Sequence, residues 1–311
     1  MHRHLLLALL APVLLSGCGV KLAYNNLDRI IPWVVDDYIE FDDLQEEYFE
    51  AELESILYWH RTTQLSVYAA SLRHFDADLS DGLTLEELLT MEEQVLDASR
   101  RIRGRFVPMA AEILHSTSLQ QRLDIKRRFD RRNAKYLKPI ADLDIDGERK
   151  RWRRDFQDGF EFFVGRASRA QADRIERIAA DYVPEERMWI EYRERWQRRV
   201  FALMDQQLSY PELLLRIREM VDHRERWYGA EYDEVMRRNE RLYRGLAVDL
   251  ANSLSERQQR ALSKRLLAWA KAFEALALDA DPQQPPLACM AGCPVYAGGA
   301  GYSSNINQPI R

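Results

Sequence analysis

One local pattern recurs along this 311-residue chain and limits its fold more than any other feature. In it, Ser, Thr or Asp is followed three positions later by Gln or Glu. The short side chain accepts hydrogen bonds from the free N–H groups at a helix start, and the longer side chain reaches back to the N–H of the first residue. The pattern predicts helix starts at Asp42–Gln45, Thr84–Glu87, Ser118–Gln121, Ser168–Gln171 and Ser255–Gln258.

Apolar residues follow these starts at steps of three and four, as on the buried face of a helix. One stripe predicts a single helix that carries Phe49, Leu53, Ile56, His60, Thr63 and Val67. The next predicts a helix from Thr84 to His115, with a kink at Pro108 and a buried face of Leu88, Met91, Val95, Ala98, Ile102, Phe106, Met109 and Ile113. A third stripe predicts one long helix from Ser209 to Leu250.

The fold class expected from these stripes is all-α. No segment has the alternation of a strand, and the unequal spacing of the helix starts excludes a simple solenoid. With 46 % hydrophobic and 31 % charged residues, the chain can bury a core and keep an ionised surface. We therefore expect an elongated, antiparallel multi-helix bundle over residues 41–279.

The N-terminus has the features of a secretory signal. His2-Arg3-His4 precedes an apolar run from Leu5 to Leu15 that is too short for a permanent span, and Leu14-Leu15-Ser16-Gly17-Cys18 follows. That ending resembles the lipobox of bacterial lipoprotein precursors. The resemblance implies a signal peptide over residues 1–17 and, on Cys18, a thioether-linked diacylglycerol and an N-acyl chain such as palmitate. The alternative is a soluble exported protein with a coincidental cysteine.

Lipidation of Cys18 would make residues 18–40 a tether with a short helix, anchored by its acyl chains. Gly19 follows Cys18 in place of the Asp typical of inner-membrane retention, which favours the outer membrane. The apolar residues after the tether either lie on the bilayer surface or pack on the body of the protein: Leu27, Ile30, Ile31, Trp33 and Val34.

The charges are unevenly distributed in a chain of net charge −5. Residues 36–54 hold ten acidic side chains and no basic one, whereas residues 100–105, 126–138 and 149–154 are rich in Arg and Lys. These basic segments either form solvated faces that pair weakly with acidic neighbours or line a groove for an acidic partner. A mildly acidic envelope protein gives no reason to expect a nucleic-acid partner.

The composition changes after Asp279, where residues rich in Pro, Gly, Ser and Asn predict a disordered tail over residues 280–311. This tail contains Cys289 and Cys293. In an oxidising compartment the two would close a small local disulfide. Their spacing is not the Cys-x-x-Cys of redox catalysts or zinc sites, which disfavours a functional role for the pair.

Residues 76–87 resemble a calcium-binding loop. Asp76, Asp78, Ser80 and Thr84 occupy loop positions 1, 3, 5 and 9, and Glu87 stands where a bidentate carboxylate belongs. The departure is Asp81 at position 6, where the sharp turn needs glycine. The same residues also fit a turn at Asp81-Gly82 followed by a helix cap. A second candidate, residues 142–153, places Arg153 at position 12 and is excluded.

The sequence contains no pattern that predicts an enzyme. The mature chain would hold four separated histidines and lacks His-Glu-x-x-His, Gly-x-Ser-x-Gly and a phosphate-binding glycine loop. His60 lies on an apolar stripe, which favours a core or interface role. We therefore expect no catalytic residue and no cofactor besides the covalent lipid, with calcium as the one alternative.

Several of these segments together resemble a family of proteobacterial lipoproteins known only as a domain of unknown function. They are the lipobox, Tyr24-Asn25-Asn26-Leu27-Asp28, the acidic helix with Gln45, Trp59-His60-Arg61, Asp81-Gly82-Leu83-Thr84 and the Ser-x-x-Gln starts. The resemblance extends to about Leu278 and implies a helical envelope protein without an assigned activity. The repeated helix starts also resemble those of CpxP/Spy-type periplasmic stress proteins, which bind unfolded chains.

Two hypotheses follow. The first is a non-enzymatic binding or scaffolding lipoprotein that faces the periplasm, has a protein or other envelope partner and acts in a chaperone-like way. The second is a calcium-responsive envelope protein that uses the loop from Asp76 to Glu87.

Overall fold

The computed structural model describes residues 17–279, apart from the side chain of Cys18. This region is all-α and contains twelve α-helices and no strand, which confirms the predicted fold class. The rest of the predicted signal peptide, the predicted disordered tail and the Cys289–Cys293 disulfide lie outside the described residues. The helices are α1 Gly17–Tyr24, α2 Leu27–Val35, α3 Asp43–Thr63, α4 Leu65–Asp78, α5 Leu85–Ser116, α6 Leu119–Leu137, α7 Ile145–Val164, α8 Arg169–Asp181, α9 Glu186–Met204, α10 Tyr210–Asp222, α11 Ala230–Ala251 and α12 Glu256–Leu278.

The five predicted helix starts are confirmed. Asp42, Thr84, Ser118, Ser168 and Ser255 are the N-caps of α3, α5, α6, α8 and α12, and each forms a reciprocal capping box with the Gln or Glu three residues on. The side chain of each N-cap accepts from the backbone N–H of that Gln or Glu, as at Gln45, where the distance is 2.9 Å. These local hydrogen bonds satisfy N–H groups that a helix cannot pair internally.

The capping glutamines also join helices in pairs. Gln171 and Gln258 are buried, and their amides exchange hydrogen bonds of 3.2 and 2.9 Å, so the starts of α8 and α12 meet. Gln121 donates to Gln45 at 2.7 Å, which brings the starts of α6 and α3 together in the same way. A buried amide requires a partner, so each pair fixes which helix starts are neighbours.

The apolar stripes meet in three clusters. The first joins α3, α5 and α6 through Ile39, Phe49, Leu53, Ile56, Met109, Ile113 and Ile125. The second joins α7, α8 and α11 through Trp152, Ile175, Ala179, Tyr182, Leu246 and Leu250. The third joins α5 and α10 through Val107, Ala111, Leu213 and Ile217. The C-terminal third of α5 therefore belongs to two of the three clusters.

Two helices are interrupted where the stripes predicted continuous ones. The helix expected to run through Val67 ends at Thr63, and Gln64 separates α3 from α4, which leaves Val67 45 % exposed. The helix expected from Ser209 to Leu250 ends at Asp222, and a short 3₁₀ helix, Arg224–Trp227, leads to α11. At that second break Gly229 has a φ of +83°, a conformation that glycine adopts without steric cost.

The segment predicted as a tether packs on the body of the protein. Helix α1 lies against α12, and Lys21 of α1 forms an ion pair with Asp279, just after α12, at 3.7 Å. The Tyr24 hydroxyl is hydrogen-bonded to Nδ1 of His60 at 2.8 Å, and burial lowers the pKa of His60. His60 thus has the interface role expected of it, because it joins α1 to α3.

Candidate binding surface on helix α5

The two ends of α5 are buried to very different extents. Val107, Met109, Ala111 and Ile113, in its C-terminal third, are each at most 7 % exposed. Every residue from 85 to 105 is at least partly exposed. We call residues 85–105 the α5 arm.

Large apolar side chains are exposed along the α5 arm. The exposed fractions are 50 % for Leu85, 40 % for Leu89, 53 % for Val95 and 41 % for Leu96. At 3.6 residues per turn, Leu85, Leu89 and Leu96 lie within about 40° of one another around the helix axis. Val95 is on a neighbouring face with Leu88 and Ile102, which are partly buried. Several large apolar side chains exposed on one helix are typical of a binding site, whereas single exposed leucines need no explanation.

Polar contacts hold the α5 arm on the rest of the molecule. At its start, the side chain of Asn252 accepts from the backbone N–H of Leu83 at 2.8 Å and donates to its carbonyl oxygen at 2.9 Å. Farther along, Arg244 of α11 donates to Glu92 at 2.8 Å, and Arg101 donates to the side chain of Gln64 at 2.8 Å. These contacts fix the arm in place without covering its exposed leucines.

Some of the charged side chains of the α5 arm pair with one another. Arg100 donates to Glu93 at 2.5 Å and through its Nε to Asp97 at 3.1 Å. Ion pairs that are exposed to water contribute little to stability, but they keep an apolar surface soluble. The arm therefore offers an apolar stripe beside a face of mixed charge, which suits contact with apolar segments of another chain.

The calcium-loop residues do not converge in the structure. Asp76 and Asp78 lie within α4, while Thr84 and Glu87 belong to the capping box of α5. The Glu87 carboxylate accepts from the N–H of Thr84 at 2.8 Å, and this hydrogen bond lowers the pKa of Glu87. Within residues 17–279, no group of three or more His, Cys, Asp or Glu side chains is placed to hold a metal ion.

Asp76 and Ser80 instead line a cleft of about 580 Å³ between α4 and α12. Arg260 and Lys264 line the same cleft, and their positive charge disfavours a cation there. Calcium binding to residues 76–87 would require Asp76 and Asp78 to leave α4 and Glu87 to leave its cap. The calcium hypothesis therefore stays a prediction.

The basic segments pair with several different neighbours. Arg128 and Arg132 of α6 form ion pairs with Glu40 at 2.8 Å and with Asp37 at 2.5 Å, both in the acidic block. Arg153 of α7 pairs with Glu176 of α8 at 3.0 Å. Those contacts are the ones expected of solvated faces that pair with acidic neighbours.

The buried stripe predicted for the N-terminal part of α5 is confirmed only in part. Leu88, Met91, Ala98 and Ile102 are half-buried, whereas Val95 is 53 % exposed. A signal was available, because Leu85, Leu89 and Leu96 add a second apolar row beside that stripe. Together the two rows are wider than the stripe that one neighbouring helix covers, and Leu85, Leu89 and Leu96 form the row that stays exposed.

Comparison with known proteins gives one match. Residues 37–233, more than half of the chain, match a family model described as a family of unknown function, DUF6279. Neither a curated protein nor a solved structure matches the chain. The match includes the whole of α5, and Cys18 lies in α1, before it.

Proposed function

Since the chain belongs to the DUF6279 family, whose function is unknown, we propose that this protein is a lipid-anchored, non-enzymatic binding protein that faces the periplasm. Its ligands are apolar segments of unfolded or partly folded polypeptides. The observation that carries this proposal is the α5 arm, where four large apolar side chains are at least 40 % exposed on one continuous helix. A chaperone-like role follows from this chemistry.

The anchor in this proposal is the acyl group on Cys18. The lipobox at residues 14–18 supports it, and Gly19 favours the outer membrane. Within the part of the chain that the structure describes, no helix is both long and apolar enough to cross a bilayer. The proposed role requires no catalytic residue and no cofactor. We also propose that the protein is a proteobacterial lipoprotein.

The α5 arm is suited to reversible binding of polypeptide. Its apolar stripe is preformed, because the Asn252–Leu83, Arg244–Glu92 and Arg101–Gln64 contacts hold the helix in place. A preformed surface avoids the entropic cost of ordering on binding. The adjacent pairs of Arg100 with Glu93 and Asp97 give the stripe a polar border, as at the rim of protein interfaces.

Aggregation assays with two matched variants test the proposal. Both carry Cys18→Ser, so that acylation has no part in the result. The arm variant adds Leu89→Gln, Val95→Gln and Leu96→Gln. The control adds Leu44→Gln, Leu119→Gln and Leu215→Gln, which are 79, 72 and 65 % exposed in the native protein and lie on three other helices.

We expect the Cys18→Ser protein and the control to suppress aggregation of a chemically unfolded client, and the arm variant to lose most of that effect. Equal suppression by the arm variant and the control would refute the arm as the binding surface. Failure of the Cys18→Ser protein on every client tested would refute the chaperone-like role. Circular dichroism must show equal helix content in all three proteins.

A further inference from the structure

Helix α2 presents an apolar face to solvent close to the predicted anchor. Ile30 is 38 % exposed, Trp33 51 % and Val34 39 %, and every residue of the helix is at least partly exposed. At 100° per residue these three side chains lie within a sector of about 100°. A helix of nine residues is too short to span a membrane, but a helix with such an apolar face can lie on the membrane surface.

The opposite face of α2 is attached to the protein. Ile31 and Val35 pack against the cluster formed by α3, α5 and α6. Beyond the helix, Asp37 is paired with Arg132 at 2.5 Å and Glu40 with Arg128 at 2.8 Å. The attachment fixes the direction of the outer face, and the ion pairs reduce the repulsion of this region from anionic lipid.

We propose that the outer face of α2, made of Ile30, Trp33 and Val34, lies in the interface of the lipid bilayer. The inference rests on the proposed acyl anchor at Cys18. That residue is in α1, whose eight residues span only about 12 Å at 1.5 Å each, and a two-residue turn leads on to α2. The anchor would therefore keep α2 within reach of the bilayer. Tryptophan is enriched at this depth because its ring is apolar and its N–H can meet water.

Quenching by brominated lipid tests this docking on the native, lipidated protein reconstituted in phosphatidylcholine vesicles. The chain has seven tryptophans, so the informative comparison is between Trp33→Phe and the matched Trp189→Phe. Trp189 is on α9, where its ring packs edge-on against Tyr136 at a centroid distance of 5.4 Å. Bromine placed near the lipid headgroups reports only tryptophans that enter the interface.

We expect brominated vesicles to quench a minor fraction of the fluorescence of the native protein and of Trp189→Phe. That fraction should vanish in Trp33→Phe. A double variant, Ile30→Ser with Val34→Ser, retains Trp33 and should lose at least half of the quenching. Its substitutions are at exposed positions, so its circular dichroism should be unchanged.

Flotation of the vesicles on a density gradient separates the two claims. If the native protein floats with the vesicles but shows no quenching, or equal quenching with and without Trp33, the docking of α2 is refuted and the anchor stands. If the native protein does not float, the anchor proposed for Cys18 is refuted, and the docking falls with it.

Discussion

The two ends of α5 have similar apolar patterns and different environments. At the C-terminal end, Met109 and Ile113 face α3, while Val107 and Ala111 face α10. At the N-terminal end, the α5 arm is held by side chains that meet Leu83, Glu92 and Arg101 through hydrogen bonds. In this helix the apolar stripe is fully buried only where a second apolar surface reaches it. Where no such surface reaches it, as at Leu85, Leu89 and Leu96, the stripe stays exposed.

The largest effect is expected from removing apolar volume at the buried end. Ile113→Ala leaves a cavity between α5 and α3 and should lower the free energy of unfolding by about 2–5 kcal/mol. Urea denaturation followed by circular dichroism measures this free energy of unfolding. Leu96→Ala on the α5 arm is the control and should change the same quantity by less than about 0.5 kcal/mol. Similar losses in the two variants would mean that the ends of α5 are equally buried.

An intermediate effect is expected at the start of the α5 arm. Asn252→Ala removes both hydrogen bonds to the backbone of Leu83 and should cost about 1–3 kcal/mol, because a buried polar group loses its partner. Hydrogen exchange should quicken at residues 83–88 and stay unchanged at residues 107–113.

Asn252→Asp keeps the acceptor for the Leu83 N–H and loses the donor to the Leu83 carbonyl oxygen. The rate of hydrogen exchange at residues 83–88 in this variant should therefore lie between the rates in the native protein and in Asn252→Ala. Uniform acceleration along all of α5 in Asn252→Ala would show that the arm does not move separately from the buried end.

A small effect on stability is expected for polar substitutions in the exposed stripe. Leu96→Gln, at a position that is 41 % exposed, should alter the midpoint of urea unfolding by an amount equivalent to about 0.5 kcal/mol or less. The same substitution should weaken binding of an unfolded client. Loss of stability comparable with that of Ile113→Ala would contradict the open surface.

No heat is expected when calcium is titrated to millimolar concentration in a calorimeter. Thr84 and Glu87 are already hydrogen-bonded to each other in the capping box of α5. Asp76 and Asp78 lie within α4. Heat that disappears in both Asp76→Asn and Glu87→Gln would instead support the calcium-responsive alternative. Such a result would also mean that the start of the α5 arm rearranges.

Local features of this fold are predictable from sequence, and contacts between distant segments are not. Capping boxes at Asp42 and Ser118 involve residues three positions apart, so the sequence displays them directly. The pairing of Gln45 with Gln121, and of Gln171 with Gln258, depends on which helix starts meet in space. Nothing in a single capping box carries that information.

The environment of the candidate binding surface was only partly predictable, for the same reason. Periodicity identifies the apolar rows of the α5 arm, but burial depends on whether another element reaches them. The helix break at Gln64 illustrates the same limit, because the apolar stripe continues through it to Val67, yet Val67 is 45 % exposed.

Site-specific photocrosslinking in intact cells tests the central claim most directly. A photoreactive phenylalanine derivative is introduced at Leu96, on the α5 arm, and separately at Leu215, which is 65 % exposed on α10. We predict that position 96 forms adducts with other polypeptides and that position 215 gives only background. Adducts of equal yield at both positions, or none at position 96, would contradict the claim that the α5 arm is a polypeptide-binding surface.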